Sequence, residues 1–244
     1  MRILNLALMA PDVAAQARFY AAGFGLPVEA TGARLTVTIG STRLTFLPAA
    51  PDWSGFYHFA LNIPPDQFAA AKAWAARRVP LLRDKHGADE FDFRTWDARS
   101  LYFRDPAGNI VEFIARQALP AAGGAFGPES LLGVSEIGLV TEAVGPTVAG
   151  LRAALGLEVF RGSHSPNFVA LGDDLGLLIV VQAGREWYPD TGQAAVLAAS
   201  AARLSLDDGR QVELAGPPYE SDPADGNGRP LSGPMSSPAD DENA

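Results

Sequence analysis

Three stretches of the chain alternate apolar and polar residues with the period of a half-buried strand: Asn5 to Met9, His58 to Asn62 and Glu136 to Val140. Aligned, they place Asn5, His58 and Glu136 at one equivalent position. The match continues without a gap, because Leu26-Pro27-Val28, Val79-Pro80-Leu81 and Leu157-Glu158-Val159 follow at a common distance. An alanine-rich amphipathic segment follows each first strand: Val13 to Gly25, Asp66 to Arg78 and Thr147 to Gly156. Gly25 and Gly156 suit helix stops. Paired strand-like runs come next, Leu35 to Ile39 with Arg43 to Leu47, Leu101 to Arg104 with Asn109 to Ala115, and Asn167 to Leu171 with Gly176 to Gln182. The repeating unit is therefore βαβββ, present in three copies.

Beyond copy three, Ala202 to Leu206 and Gln211 to Leu214 flank Asp207-Asp208-Gly209-Arg210, a hairpin signal that reads as the remnant of a fourth copy. The expected fold class is α+β, with tandem βαβββ repeats forming curved mixed sheets. Residues 1–117 are expected to pair copies one and two around a cup, and 118–130, rich in Gly, Pro and Ala, to form a linker. Residues 131–216 should hold the third unit and the hairpin, and 217–244 a disordered tail.

The most informative stretch is Ser100 to Arg116, SLYFRDPAGNIVEFIAR. Pro106 and Gly108 mark the turn between its two strands. In the second strand, Glu112 shares a face with Ile110 and Ile114. A carboxylate in an apolar strand needs a metal, a cation or hydrogen bonds, since desolvating it alone costs several kcal/mol or more, roughly. Copy two also carries a long irregular insert, Arg83 to Arg99, with Phe91, Phe93 and Trp96 available to wall a pocket together with Tyr102.

Tandem βαβββ units, a polar residue at the His58 position and a last strand reading DPxGNxxEF resemble the vicinal oxygen chelate superfamily, which includes glyoxalase I, extradiol dioxygenases and bleomycin-binding proteins. The resemblance covers roughly residues 1–185. It implies a cup whose metal ligands come from the first and last strands of paired units. Between copies one and two those positions are Asn5, Thr45, His58 and Glu112, of which His58 and Glu112 are good ligands. The same two are the expected catalytic pair, Asn5 and Thr45 are the ligand-binding positions that the resemblance adds, Trp96 and Tyr102 are the ligand-binding aromatics of the copy-two cluster, and the expected cofactor is a divalent metal (iron, manganese, zinc or nickel) or none. Copy three offers Glu136 but Ile179 at the Glu112 position, so no second metal site is expected there.

Two functions follow from that pattern. One is a small-molecule binding protein for an apolar or aromatic oxygenated ligand, with a degenerate metal site. The other is a metal-dependent enzyme, an extradiol-dioxygenase-like oxidoreductase or glyoxalase-like lyase. Composition changes this picture little. The chain has no cysteine, which removes thiolate chemistry and fits a reducing cytoplasm. Net charge is −9, five of it from residues 217–244, which argues against nucleic acid or an anionic membrane as partner. The first apolar run, Ile3 to Ala10, is too short for a membrane span. A cup closed within one chain and one closed in a homodimer both stay open.

Overall fold

A computed structural model describes residues 1–189 and 192–224. Copy one comprises β1 (Arg2–Ala10), α1 (Val13–Ala17), which runs into a wider turn over Arg18–Gly23, then β2 (Val28–Thr31), β3 (Arg34–Ile39) and β4 (Thr42–Pro48). Copy two comprises β5 (His58–Ile63), α2 (Phe68–Ala76), β6 (Phe91–Phe93), β7 (Ala98–Arg104) and β8 (Ile110–Arg116). Copy three comprises β9 (Gly133–Thr141), α3 (Val144–Leu155), β10 (Val159–Ser165), β11 (Phe168–Asp173) and β12 (Gly176–Gln182). Strands β13 (Ser200–Ser205), β14 (Gln211–Gly216) and β15 (Glu220–Pro223) follow. The expected α+β class and the three βαβββ units are present.

Local chemistry sets the element ends. The Asp12 side chain caps α1 by accepting from the Ala15 amide at 2.8 Å. Gly156 closes α3 in the left-handed region at φ 71°, where a side chain would be strained. In copy two the matching extended segment Val79 to Leu81 makes only one bridge, Leu81 to Phe103. The insert loops out beyond it and returns as β6.

The pairing of units differs from the expected one. The eight-stranded sheet runs β10-β11-β12-β9-β5-β8-β7-β6, so copy two closes against copy three. Copy one joins the terminal hairpin in a seven-stranded sheet, β15-β14-β13-β1-β4-β3-β2. Copies one and two therefore do not share a cup. First strands pair antiparallel at the centre of each sheet, β5 with β9 and β1 with β13, and each last strand lies parallel to its own first strand. The expectation of disorder from residue 217 also fails at its start: β15 pairs with β14, an edge position where Pro223 needs to donate no ladder hydrogen bond. The rest of that segment lies outside the described residues.

The main hydrophobic core takes one face of both sheets. Strand β8 gives it Val111, Phe113 and Ala115, β5 gives Phe59, Leu61 and Ile63, and helix residues such as Phe24, Phe68 and Trp74 fill between. The opposite face of the eight-stranded sheet is concave and carries a second, aromatic-rich cluster that includes Tyr102, Ile110, Phe160, Ile179 and Trp187. The alternation of β8 therefore aims Glu112 and Arg116 into the concavity with Ile110 and Ile114.

Candidate metal centre

His58, Glu112 and Glu136 meet at the floor of this concavity. Glu112 on β8 and Glu136 on β9 both lie directly across from Ala60 of β5, one on each side. His58 precedes Ala60 by two residues on the same face. The small Ala60 side chain leaves room for the longer ones beside it. A bulge places the third member: the β5–β9 register shifts between Ala60 and Leu61, which are opposite Glu136 and Val134, leaving Ser135 as the extra residue. Val134 consequently stays in the main core while Glu136, two residues on, turns to the other face.

All three side chains are buried, and one ligand atom from each lies within 4.8 Å of the other two. His58 Nδ1 lies 3.2 Å from the carbonyl oxygen of Ile110, to which it donates in the neutral form. That bond fixes the tautomer and leaves the Nε2 lone pair facing Glu112 Oε2 at 3.5 Å. Burial, followed by the nearby Arg185 guanidinium, overcomes the Ile110 bond and pulls the imidazole down to about 4. It is neutral at pH 7. Glu112 and Glu136 are both pushed above the usual carboxylate range, mainly by burial, with Glu136 adding to the rise at Glu112.

Each carboxylate has a positioning partner. Ser100 Oγ donates to Glu112 Oε1 at 2.5 Å, and the Tyr102 hydroxyl also bonds it. Glu136 accepts from Arg116, itself fully buried between the rings of Trp96 and Phe160, whose centroids lie 5.5 and 5.3 Å from its guanidinium carbon. One neutral imidazole and two buried carboxylates facing a single point form a donor set for a divalent metal ion. When both are ionised, two carboxylates against one guanidinium leave a buried negative charge that such an ion would offset. The cluster can therefore hold a divalent metal.

Above it lies a cavity of about 470 Å³, within the range of small-ligand sites. Phe93, Trp96 and Tyr102 form one wall, as the insert of copy two suggested, and Phe168 and Ile179 stand opposite. Ile179 takes the place in copy three that Glu112 holds in copy two, so a fourth side of the cluster is apolar. The connection from β12 to β13 covers the mouth with Arg185, Trp187 and Tyr188. Trp187 lies over His58, ring centroids 4.9 Å apart, and fits because residue 138 is glycine: a Cβ there would meet the indole at 2.6 Å.

The structure places the expected residues unequally. His58, Glu112, Trp96 and Tyr102 line the cavity, whereas Asn5 and Thr45 lie in the other sheet. There Asn5 faces Arg203, which is paired with Glu213 at 2.5 Å, and Thr45 shares a hydrogen bond with Thr36 at 3.2 Å. Ala7, the copy-one match of Ala60, lies across from Ala201 where Ala60 has Glu136, so the seven-stranded sheet lacks that carboxylate and Asn5 and Thr45 are not ligands of the same centre as His58. Their expected role depended on pairing copies in chain order. Glu136 was set aside for the same reason, and Arg116, Arg185, Trp187 and Phe168 were missed. The run Arg185-Glu186-Trp187-Tyr188 could have signalled a cover, because two large aromatics stand there in a connection whose other apolar residues are alanines, one valine and one leucine. Of the remaining histidines, His164 stands exposed at the cavity rim and His86 is exposed in the insert.

No family model matches the sequence, and no curated protein matches it. Solved structures do match in three dimensions. A "putative dioxygenase" from Bacillus subtilis superposes with a TM-score of 0.59 at 16% identity, covering 88% of this chain and 81% of its own. Glyoxalase I from Zea mays superposes with a TM-score of 0.51 at 15% identity, covering 88% of each chain. At such identities the likeness is one of architecture: this chain shares the fold of these two proteins, with βαβββ units forming curved mixed sheets.

Proposed function

We propose that this protein binds a small aromatic, oxygenated molecule in the cavity between copies two and three, over a divalent metal held by His58, Glu112 and Glu136. The observation that carries this reading is the convergence of three buried ligand atoms within 4.8 Å beneath an aromatic cavity. Iron, manganese, zinc and nickel all suit one imidazole with two carboxylates, and open positions on the ion would face the cavity because Ile179 supplies no donor. Such an ion would polarise two neighbouring ligand oxygens. The reaction class consistent with this arrangement is dioxygenase-like oxidation or a glyoxalase-like lyase reaction.

The chain's own residues supply the rest. The Ile110 carbonyl holds the imidazole in its ligating tautomer, and Ser100 and Tyr102 fix the Glu112 carboxylate. Trp187 and Tyr188 shield the floor from water, which strengthens every charge interaction beneath them. Phe93, Trp96 and Phe168 present faces and edges for a planar ligand.

The test uses 4-nitrocatechol, whose visible spectrum changes on chelation. Metal-loaded protein should shift that spectrum, and His58→Ala and Glu136→Ala should abolish the shift. An identical shift in both variants would overturn the reading. A metal-free binding cup anchored by His58 and Glu112 is the second reading, favoured by the Arg116–Glu136 pair, which already neutralises one carboxylate. It predicts ligand binding that chelators leave unchanged.

A further inference from the structure

The geometry points to Arg185 as an anion subsite of the cavity, which makes the ligand an aromatic carboxylate, or another planar anion, with neighbouring oxygens at its opposite end. This inference rests on the proposed metal-and-ligand reading and narrows its substrate class.

Arg185 lines the cavity from the covering connection and is half-buried. Its guanidinium carbon stands 5.0 Å from the centroid of Phe168, an aromatic wall of the same cavity. Among the described residues no carboxylate pairs with it. Its side chain makes one hydrogen bond, Nη1 donating to the carbonyl oxygen of Glu186 at 3.1 Å. Most of its five donors thus remain available in a planar fork matched to a carboxylate. The contrast with Arg116 is informative, because that guanidinium is committed to Glu136 beneath the floor.

Burial depresses the Arg185 pKa, so the charge stands in a partly desolvated place where an opposite charge would be favourable. Trp187, two residues along the same connection, lies over His58, and Arg185 lines the same cavity as the floor. The other titratable groups lining the cavity are His58, Tyr102, Glu112, Glu136, Tyr188 and, at the rim, His164. With a divalent ion on the two carboxylates and Arg116 already paired, the loaded cavity has an excess of positive charge. An aromatic-walled cavity lined by both a guanidinium and a metal-holding cluster favours a flat molecule that carries an anionic group as well as chelating oxygens. A neutral ligand would leave the guanidinium desolvated without compensation.

The test compares 3,4-dihydroxybenzoate with its neutral isostere 3,4-dihydroxybenzamide by calorimetry on the metal-loaded full chain, with metal content measured on each sample. A charge-assisted bidentate contact should favour the carboxylate by about tenfold or more. In Arg185→Gln the two ligands should bind within about twofold of each other while one metal per chain is retained, and Arg185→Lys should recover part of the preference. Equal affinities in the wild type, or a preference that survives Arg185→Gln, would overturn the subsite. If no metal is taken up, the metal reading fails, and benzoate against benzyl alcohol on the same protein reads the subsite separately. An Arg185-dependent preference for benzoate supports it, and none overturns it.

Discussion

Arg116→Met probes the charge balance of the site floor. Arg116 is fully buried, and its guanidinium is the cation that pairs with Glu136. Methionine fills much of the same volume between Trp96 and Phe160 without the charge. The substitution would leave two buried carboxylates with ligand atoms within 4.8 Å. At an effective dielectric constant of about 20, two unit charges at that separation repel by roughly 3 kcal/mol. Breaking a buried pair from one side typically costs about 3–5 kcal/mol, so the variant should be destabilised by that order. The assay is urea unfolding at pH 8 with chelator, followed by far-UV circular dichroism. Two conditions should rescue the variant more than the wild type. A divalent metal replaces the missing positive charge, and at 100 times its Kd adds about 2.7 kcal/mol. Acid also helps: both carboxylates titrate above their unfolded value, so the folded state takes up protons first and gains stability as pH falls. Metal-free Arg116→Met within about 0.5 kcal/mol of the wild type at pH 8 would refute the reasoning.

Three further perturbations follow from the same geometry. His58 titrates at about 4 against 6.5 unfolded, so it contributes stability above pH 6.5 that is lost as pH falls toward 4. The shift corresponds to about 3 kcal/mol, and chelated wild type should lose that much more than His58→Gln between pH 7.5 and 4 in paired urea melts. Asp105 behaves oppositely. Fully buried at the β7–β8 turn, it is pushed up to about 6 despite bonds from Gln16, Asn109 and the Ala107 amide. Its stabilising contribution is therefore present below pH 4 and lost as pH rises through 6, a slope of about 3 kcal/mol that Asp105→Asn should remove. Gly138→Ala forces the Trp187 ring off His58, which should change indole fluorescence and weaken 4-nitrocatechol binding about tenfold or more. Unchanged fluorescence and affinity would show that Trp187 does not need that space.

Much of the fold was legible because its signals are local. Period-two alternation located β1, β5 and β9, and Pro106 with Gly108 located the β7–β8 turn. Glu112 stood out as a carboxylate in an apolar last strand, and His58 as a good ligand at the first-strand position of the same unit. The pairing of units was not legible. Whether β5 lies beside β1 or β9 depends on contacts between distant segments, and every unit presents a similar first strand. The Ser135 bulge was hidden as well, because it changes which face Glu136 occupies without changing composition. The cover was missed because Arg185 to Ala198 has no period to read. β15 was missed because its polar, proline-containing sequence gains strand geometry only from β14.

The central claim is that one metal is held between copies two and three. It is tested most directly by metal titration of chelator-stripped full chain, loaded anaerobically with iron(II), manganese(II), zinc(II) or nickel(II), in the wild type, Glu136→Ala and Asn5→Ala. The account predicts one tightly bound ion per chain in the wild type and Asn5→Ala, and none in Glu136→Ala. Stoichiometric metal in Glu136→Ala, or its loss in Asn5→Ala alone, would contradict it.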